Sequence, residues 1–102
     1  MKLTVGRTLS SAVDATTVIV VRAPDGDVSV TCGGVEMYDP KAGEAPQGTA
    51  DPAQSTGTQL GKRYTDDADT IELLCTKAGS GTLALDGAEL TVKAAKPLPS
   101  SD

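Results

Sequence analysis

The chain has no phenylalanine, no tryptophan and no histidine, and its only aromatic residues are Tyr38 and Tyr64. Without an imidazole, neither a Cys–His nor a Ser–His nucleophile can be assembled. Ser10, Ser11 and Asp14 therefore read as loop residues and not as parts of a hydrolase. Without large aromatics the core must be Val, Leu, Ile and Ala, and a small-ligand or sugar site loses its usual walls. A core of that kind in 102 residues is thin and profits from a staple, a metal or a partner. Cysteine is scarce: Cys32 and Cys75 form no Cys-x-x-Cys pair, so thioredoxin-like chemistry has no local support. The 9 basic residues, against 14 acidic ones, form no cluster, which argues against nucleic acid as a partner. Lys93 and Lys96 read as ordinary solvated charges. No apolar run approaches the ~20 residues of a membrane span, so no membrane contact is expected. The N-terminus has no signal-peptide pattern, so the expected location is cytoplasmic, where both thiols stay reduced.

What is present is a repetition. Residues 18–37 and 71–90 superimpose at one offset of 53 without a gap. Gly26 falls on Gly79, Gly34 on Gly87, Glu36 on Glu89 and Met37 on Leu90. Val18, Val20, Val21 and Val30 fall on Ile71, Leu73, Leu74 and Leu83. Each copy is too short to bury a core alone, so two copies must share one.

The texture is that of strands and turns. Val18-Ile19-Val20-Val21 is a β-branched run closed by Pro24-Asp25-Gly26, and Val28, Val30 and Cys32 alternate with polar residues. These two strands are expected to form a hairpin through Asp25-Gly26, ended by Gly33-Gly34. Ile71 to Cys75 and Thr82 to Leu85 repeat the arrangement around Gly79-Ser80-Gly81, with a second tight turn at Asp86-Gly87. The glycines singled out as turn formers are Gly26, Gly33, Gly34, Gly79, Gly81 and Gly87. Residues 39–59 hold Pro40, Pro46 and Pro52 and no apolar period, and read as a flexible linker or long exposed loop. The chain thus divides into a first repeat (1–38), the linker (39–59), a second repeat (60–95) and a Pro/Ser-rich tail (96–102), within one compact domain. No segment carries a helical period, so the expected class is all-β with little or no helix.

Residues 61–90 read Gly61-x-x-Tyr64-x-Asp66-x-x-Asp69, then Gly79-Ser80-Gly81-Thr82-Leu83-x-Leu85-Asp86-Gly87-x-x-Leu90. In that spacing the segment resembles desulforedoxin and the related N-terminal domain of some superoxide reductases. The family pattern is G-x-x-Y-x-C-x-x-C followed, after a spacer, by G-G-G-T-L-x-C-C-G-x-x-M. The first repeat extends the resemblance through Gly26 and Cys32-Gly33-Gly34-x-x-Met37. The resemblance implies two rubredoxin-like hairpin modules packed as a pseudo-twofold dimer within one chain. The family's four cysteines hold one iron, but their places are taken here by Asp66, Asp69, Leu85 and Asp86. In the first repeat only Cys32 remains, beside Gly33, and the early pair falls near Val13 and Thr16. A four-cysteine iron site is therefore argued against, and no cofactor is expected.

If the family backbone is kept, Asp66, Asp69 and Asp86 would converge and suit a hard cation such as Ca²⁺ or Mg²⁺; as exposed turn residues they would simply bond nearby backbone. Cys32, before Gly33-Gly34, would be a reactive thiol if backbone N–H groups lowered its pKa, or a small buried hydrophobe otherwise. Cys32 and Cys75 could also pair as a disulfide or share a metal. The leading expectation is a small non-catalytic interaction module or accessory subunit, joined to a protein partner or to another copy of itself. The alternative is a metal- or thiol-dependent redox protein. An enzyme using the Asp66/Asp69 pair ranks last.

Overall fold

A computed structural model describes residues 2–93. The described residues form nine short strands and no helix: β1 (Thr8–Ser10), β2 (Thr17–Arg22), β3 (Val30–Cys32), β4 (Val35–Glu36), β5 (Arg63–Thr65), β6 (Glu72–Lys77), β7 (Leu83–Leu85), β8 (Ala88–Glu89) and β9 (Thr91–Val92). They build two antiparallel sheets, in the orders β1-β2-β6-β5-β9 and β4-β3-β7-β8. The fold is all-β, as the strand-and-turn texture predicts. The tail at 96–102, Lys96 included, lies outside the described residues.

Alternation decides which face of each strand is buried. Along β2, Val18 and Val20 point inward while Ile19 and Val21 are half-buried. Leu73 and Cys75 do the same on β6, and Val30 and Cys32 on β3. With Leu9, Met37, Tyr64, Ile71, Leu83 and Leu90 they form one cluster fed by both sheets. Fully burying a side chain of this kind contributes about 1.5–3 kcal/mol.

The expected hairpin between β2 and β3 does not form. β2 pairs with β1 and β6, and β3 pairs with β4 and β7, so the Asp25-Gly26 segment crosses from one sheet to the other. The segment around Gly79-Ser80-Gly81 makes the same crossing from β6 to β7. The physical reason is burial. A β2–β3 hairpin would put all four strands of a half in one sheet with an apolar face uncovered, whereas splitting each half between two sheets and pairing across the halves lets both sheets feed one core. The real hairpins are β1–β2, β3–β4, β5–β6 and β7–β8. Two of them turn on two residues with positive φ: Gly33 and Gly34 at 65° and 84°, Asp86 and Gly87 at 49° and 87°. That geometry closes a tight hairpin with the right twist.

The halves correspond rung by rung. The β1–β2 rungs Thr8↔Ile19, Leu9↔Val18 and Ser10↔Thr17 recur as Arg63↔Leu74, Tyr64↔Leu73 and Thr65↔Glu72, a spacing of 55 (63 − 8). The β3–β4 rungs Thr31↔Glu36 and Cys32↔Val35 recur as Ala84↔Glu89 and Leu85↔Ala88, a spacing of 53 (84 − 31). The single offset of 53 therefore holds only from Val30 onward. Val18 corresponds to Leu73 and not to Ile71, and Gly26 has no fixed counterpart in Gly79. The link at 23–29 is two residues longer than the link at 78–82. Across the centre of each sheet, corresponding residues face each other: Ile19↔Leu74 in one and Thr31↔Ala84 in the other.

Residues 39–59 form no strand and are mostly exposed. Their second part is nonetheless tied to both halves by backbone bonds: Asp51 N to Gly33 O at 2.8 Å, Thr58 N to Gly79 O at 3.0 Å, and Thr82 N to Gln54 O at 3.0 Å.

Candidate functional site

The most tightly built polar site lies where the β1–β2 loop meets the β6–β7 link. The Ser11 hydroxyl accepts the N–H groups of Val13 and Asp14, which curls the loop inward. Asp14 then accepts the Thr16 N–H and the Thr16 hydroxyl, each at 3.0 Å, and the N–H of Gly81. The Cys32 thiol donates to the same carboxylate, 3.7 Å to Oδ1. Thr16 Oγ1 lies 3.2 Å from Thr58 Oγ1, and Thr58 Oγ1 in turn accepts Gly79 N–H at 2.8 Å. Ser11, Thr16, Thr58 and Cys32 are all buried.

Gly79 and Gly81 are required here by close approach and not by turn geometry. Neither has the positive φ found at Gly26, Gly33, Gly34 and Gly87. A β-carbon on Gly81 would stand 2.8 Å from Cys32 Sγ and from Gly33 N; one on Gly79 would stand 2.7 Å from Asp14 Oδ2 and from Thr16 N. The site is thus a clamp that locks a loop of the first half onto bare backbone of the second.

Its electrostatics follow from the geometry. Burial alone would raise the Asp14 carboxyl, but hydrogen bonds from Ser11, Gly81 and Thr16 outweigh it and hold the group below the usual carboxylate value. Burial pushes the Cys32 thiol up, against the bonds of Thr16 and Ser11, and the Asp14 charge acts in the same sense as burial. A thiol held protonated is a poor nucleophile, so the lowered pKa expected of a reactive Cys32 is reversed. Cys75, free and buried in the other sheet, donates to Lys77 O at 3.3 Å. Cys32 is likewise free, and no disulfide joins the two.

The three carboxylates expected to form a hard-cation site do not converge. Asp66 closes its own loop by accepting the Thr70 N–H and hydroxyl, and chiefly that hydroxyl lowers its pKa. Asp69 accepts from Thr65 Oγ1 at 2.9 Å and faces Arg22 and Lys93; the Thr65 bond leads in lowering its pKa. Asp86 turns to the Ser29 N–H at 2.8 Å, in the other sheet. Each carboxylate already has a partner, and no three His, Cys, Asp or Glu among the described residues are grouped to hold a metal. The positions that the resemblance assigns to iron ligands do not fit a tetrahedral thiolate site either. At the observed spacings the early pair of the first half moves from near Val13 and Thr16 to Ser11 and Asp14, which together with Cys32 and Gly33 supply one thiol.

Two features escaped the sequence. Glu72, with its side chain 4% exposed, takes Lys93 Nζ at 2.8 Å and Arg63 Nη1 at 3.3 Å, so Lys93 is no ordinary solvated charge. Its hydrogen bond to Glu72 is the main cause that raises the Lys93 pKa. Val5 and Leu60 stand 69% and 67% exposed on matching turns, closed by Arg7 N to Thr4 O and Lys62 N to Gln59 O, with Gly6 and Gly61 at positive φ. The paired motifs Val5-Gly6-Arg7 and Leu60-Gly61-Lys62 were the available signal, hidden because they lie outside the stretch that aligns at 53. A groove of about 500 Å³ runs beside the second turn, between Gln59, Tyr64, Leu90 and Val92. Comparison with protein-family models, with curated proteins and with solved structures returns no match.

Proposed function

We propose that this chain is a small non-catalytic interaction module, acting as an accessory subunit on a duplicated and degenerate desulforedoxin-like scaffold. The observation that carries the reading is the Asp14–Cys32 contact at 3.7 Å. Both residues stand at positions that the resemblance assigns to metal ligands. In this chain they close on each other and on Gly81 N–H, so chemistry at that place has given way to a structural bond. The rung-by-rung match of the halves supports the duplication, with the longer segment at 39–59 as the join. Val5 and Leu60 supply the contact surface: two aliphatic tips on matched turns, one per half. Single exposed aliphatics are common on proteins; a matched pair on a duplicated frame is the arrangement a bivalent contact would use.

The test is native mass spectrometry of the protein purified from its own host, with the Val5→Asp/Leu60→Asp variant alongside. The expected result is a stoichiometric protein partner on the wild type, lost in the variant, with no bound metal. A bare monomer from both, or wild-type protein carrying iron, overturns the reading.

A further inference from the structure

Arg22, Arg63, Asp69, Glu72 and Lys93 meet at one end of the five-stranded sheet. Their arrangement bears on how β9 is held. β9 makes two rungs with β5, Tyr64↔Val92 and Thr65↔Thr91, and one further backbone bond, Lys93 N to Arg63 O at 2.7 Å. It buries little, since both its residues are exposed and Val92 remains 43% so. Apolar contact therefore does little to keep it docked. Among the described residues, what holds it beyond those backbone bonds is the Lys93 ammonium, 2.8 Å from a Glu72 oxygen and 3.7 Å from Asp69. Because the Glu72 side chain is almost fully buried while the Lys93 side chain is 42% exposed, that pair is less screened than one exposed on both sides.

The first half gives the control. Tyr38 makes the corresponding contact with Ser10, as an isolated bridge, and no strand follows. At the rung matching Lys93 stands Pro40, which has neither an N–H for the ladder nor a charge for a carboxylate. Where the lysine rung is absent, the edge strand is absent too.

We infer that β9 is a latch strand, fastened to β5 by Lys93 across the buried Glu72 carboxylate and able to open as a local unit while both sheets stay folded. Opening bares the outer backbone edge of β5, the kind of edge to which an extended segment can add. The inference rests on the ion-pair geometry and is independent of what the module binds.

Native-state hydrogen exchange read residue by residue tests it. In Lys93→Met, which keeps the length of the stem, the Lys93 amide should exchange about tenfold faster or more, since a charge-assisted bond is lost. The Leu90 and Cys75 amides, which bond Leu83 O and Lys62 O, should keep their wild-type rates. Glu72→Gln should act in the same direction. Arg22→Met, which frees Asp69 but leaves the Lys93–Glu72 pair, should stay within about twofold of wild type. An unchanged Lys93 amide in Lys93→Met overturns the inference. So does a Lys93 amide that in wild type opens only together with Leu90 and Cys75.

Discussion

Asp14 and Asp69 occupy the same place in the two halves, at the observed spacing of 55, and they behave differently. Each sits in the loop before the long central strand of its half and reaches across to the opposite half. Asp14 meets a short link of bare glycine backbone, and its carboxylate gathers backbone N–H, a hydroxyl and a thiol. Asp69 instead meets Arg22, the last residue of β2 before the longer link, across an exposed pair at 3.2 Å. The frame is repeated, but the energy at equivalent points is not. Where one half has a short glycine link and a buried clamp, the other has a link two residues longer and a solvent-screened ion pair, and screened pairs contribute little.

The glycines should break the symmetry most sharply. Gly79→Ala places a methyl group 2.7 Å from Asp14 Oδ2 and Thr16 N, and a loss of about 1–3 kcal/mol or more is expected in urea unfolding. Gly26→Ala, in the longer link, meets nothing within 4 Å and bears only the strain of its positive φ, about 1–2 kcal/mol. The pH profile should follow the clamp as well. Asp14 is depressed in the folded state, so its contribution is complete above the ordinary carboxylate value and fades as the pH falls below about 4. Cys32 is raised, so its contribution holds below the ordinary thiol value and fades as the pH climbs past about 8.5. Thermal melts across pH should therefore lose stability at both ends, and Asp14→Asn should make the acid limb shallower, leaving the share of Asp66 and Asp69. The smallest effect expected is chemical: alkylation of Cys32 in folded protein should run slower than that of a free thiol, and a faster rate would contradict the raised pKa.

The sequence carried the local geometry and hid the long-range geometry. Gly33-Gly34 and Asp86-Gly87 were legible because a two-residue hairpin turn needs positive φ, which few residues accept. The all-β class and the buried residues of the central strands were legible from alternation. The true register of the first half was not, and the reason is the period of a strand. Moving Val18 from Ile71 to Leu73 shifts it by two residues, which returns every side chain to the same face, so both alignments put apolar on apolar. The choice of partner strands was equally hidden, since β2·β6 and β3·β7 join distant residues by backbone bonds that any sequence offers. Asp14 looked like an ordinary loop acid because its partners, the N–H of Gly81 and the Cys32 thiol, come together only after the two halves close. Glu72 and Lys93 were likewise joined only by β9 folding back onto β5.

The central claim is that, of the two equivalent loop carboxylates, the one in the buried clamp adds more to the joining of the halves than its exposed counterpart. Equilibrium urea unfolding of Asp14→Ala and Asp69→Ala side by side tests it most directly. Asp14→Ala leaves the Gly81 N–H and the Thr16 and Cys32 donors without their acceptor and should lower stability by about 1–3 kcal/mol, while Asp69→Ala, which removes an exposed carboxylate, should lose less. Equal losses in the two variants, or a loss confined to Asp69→Ala, would contradict the account.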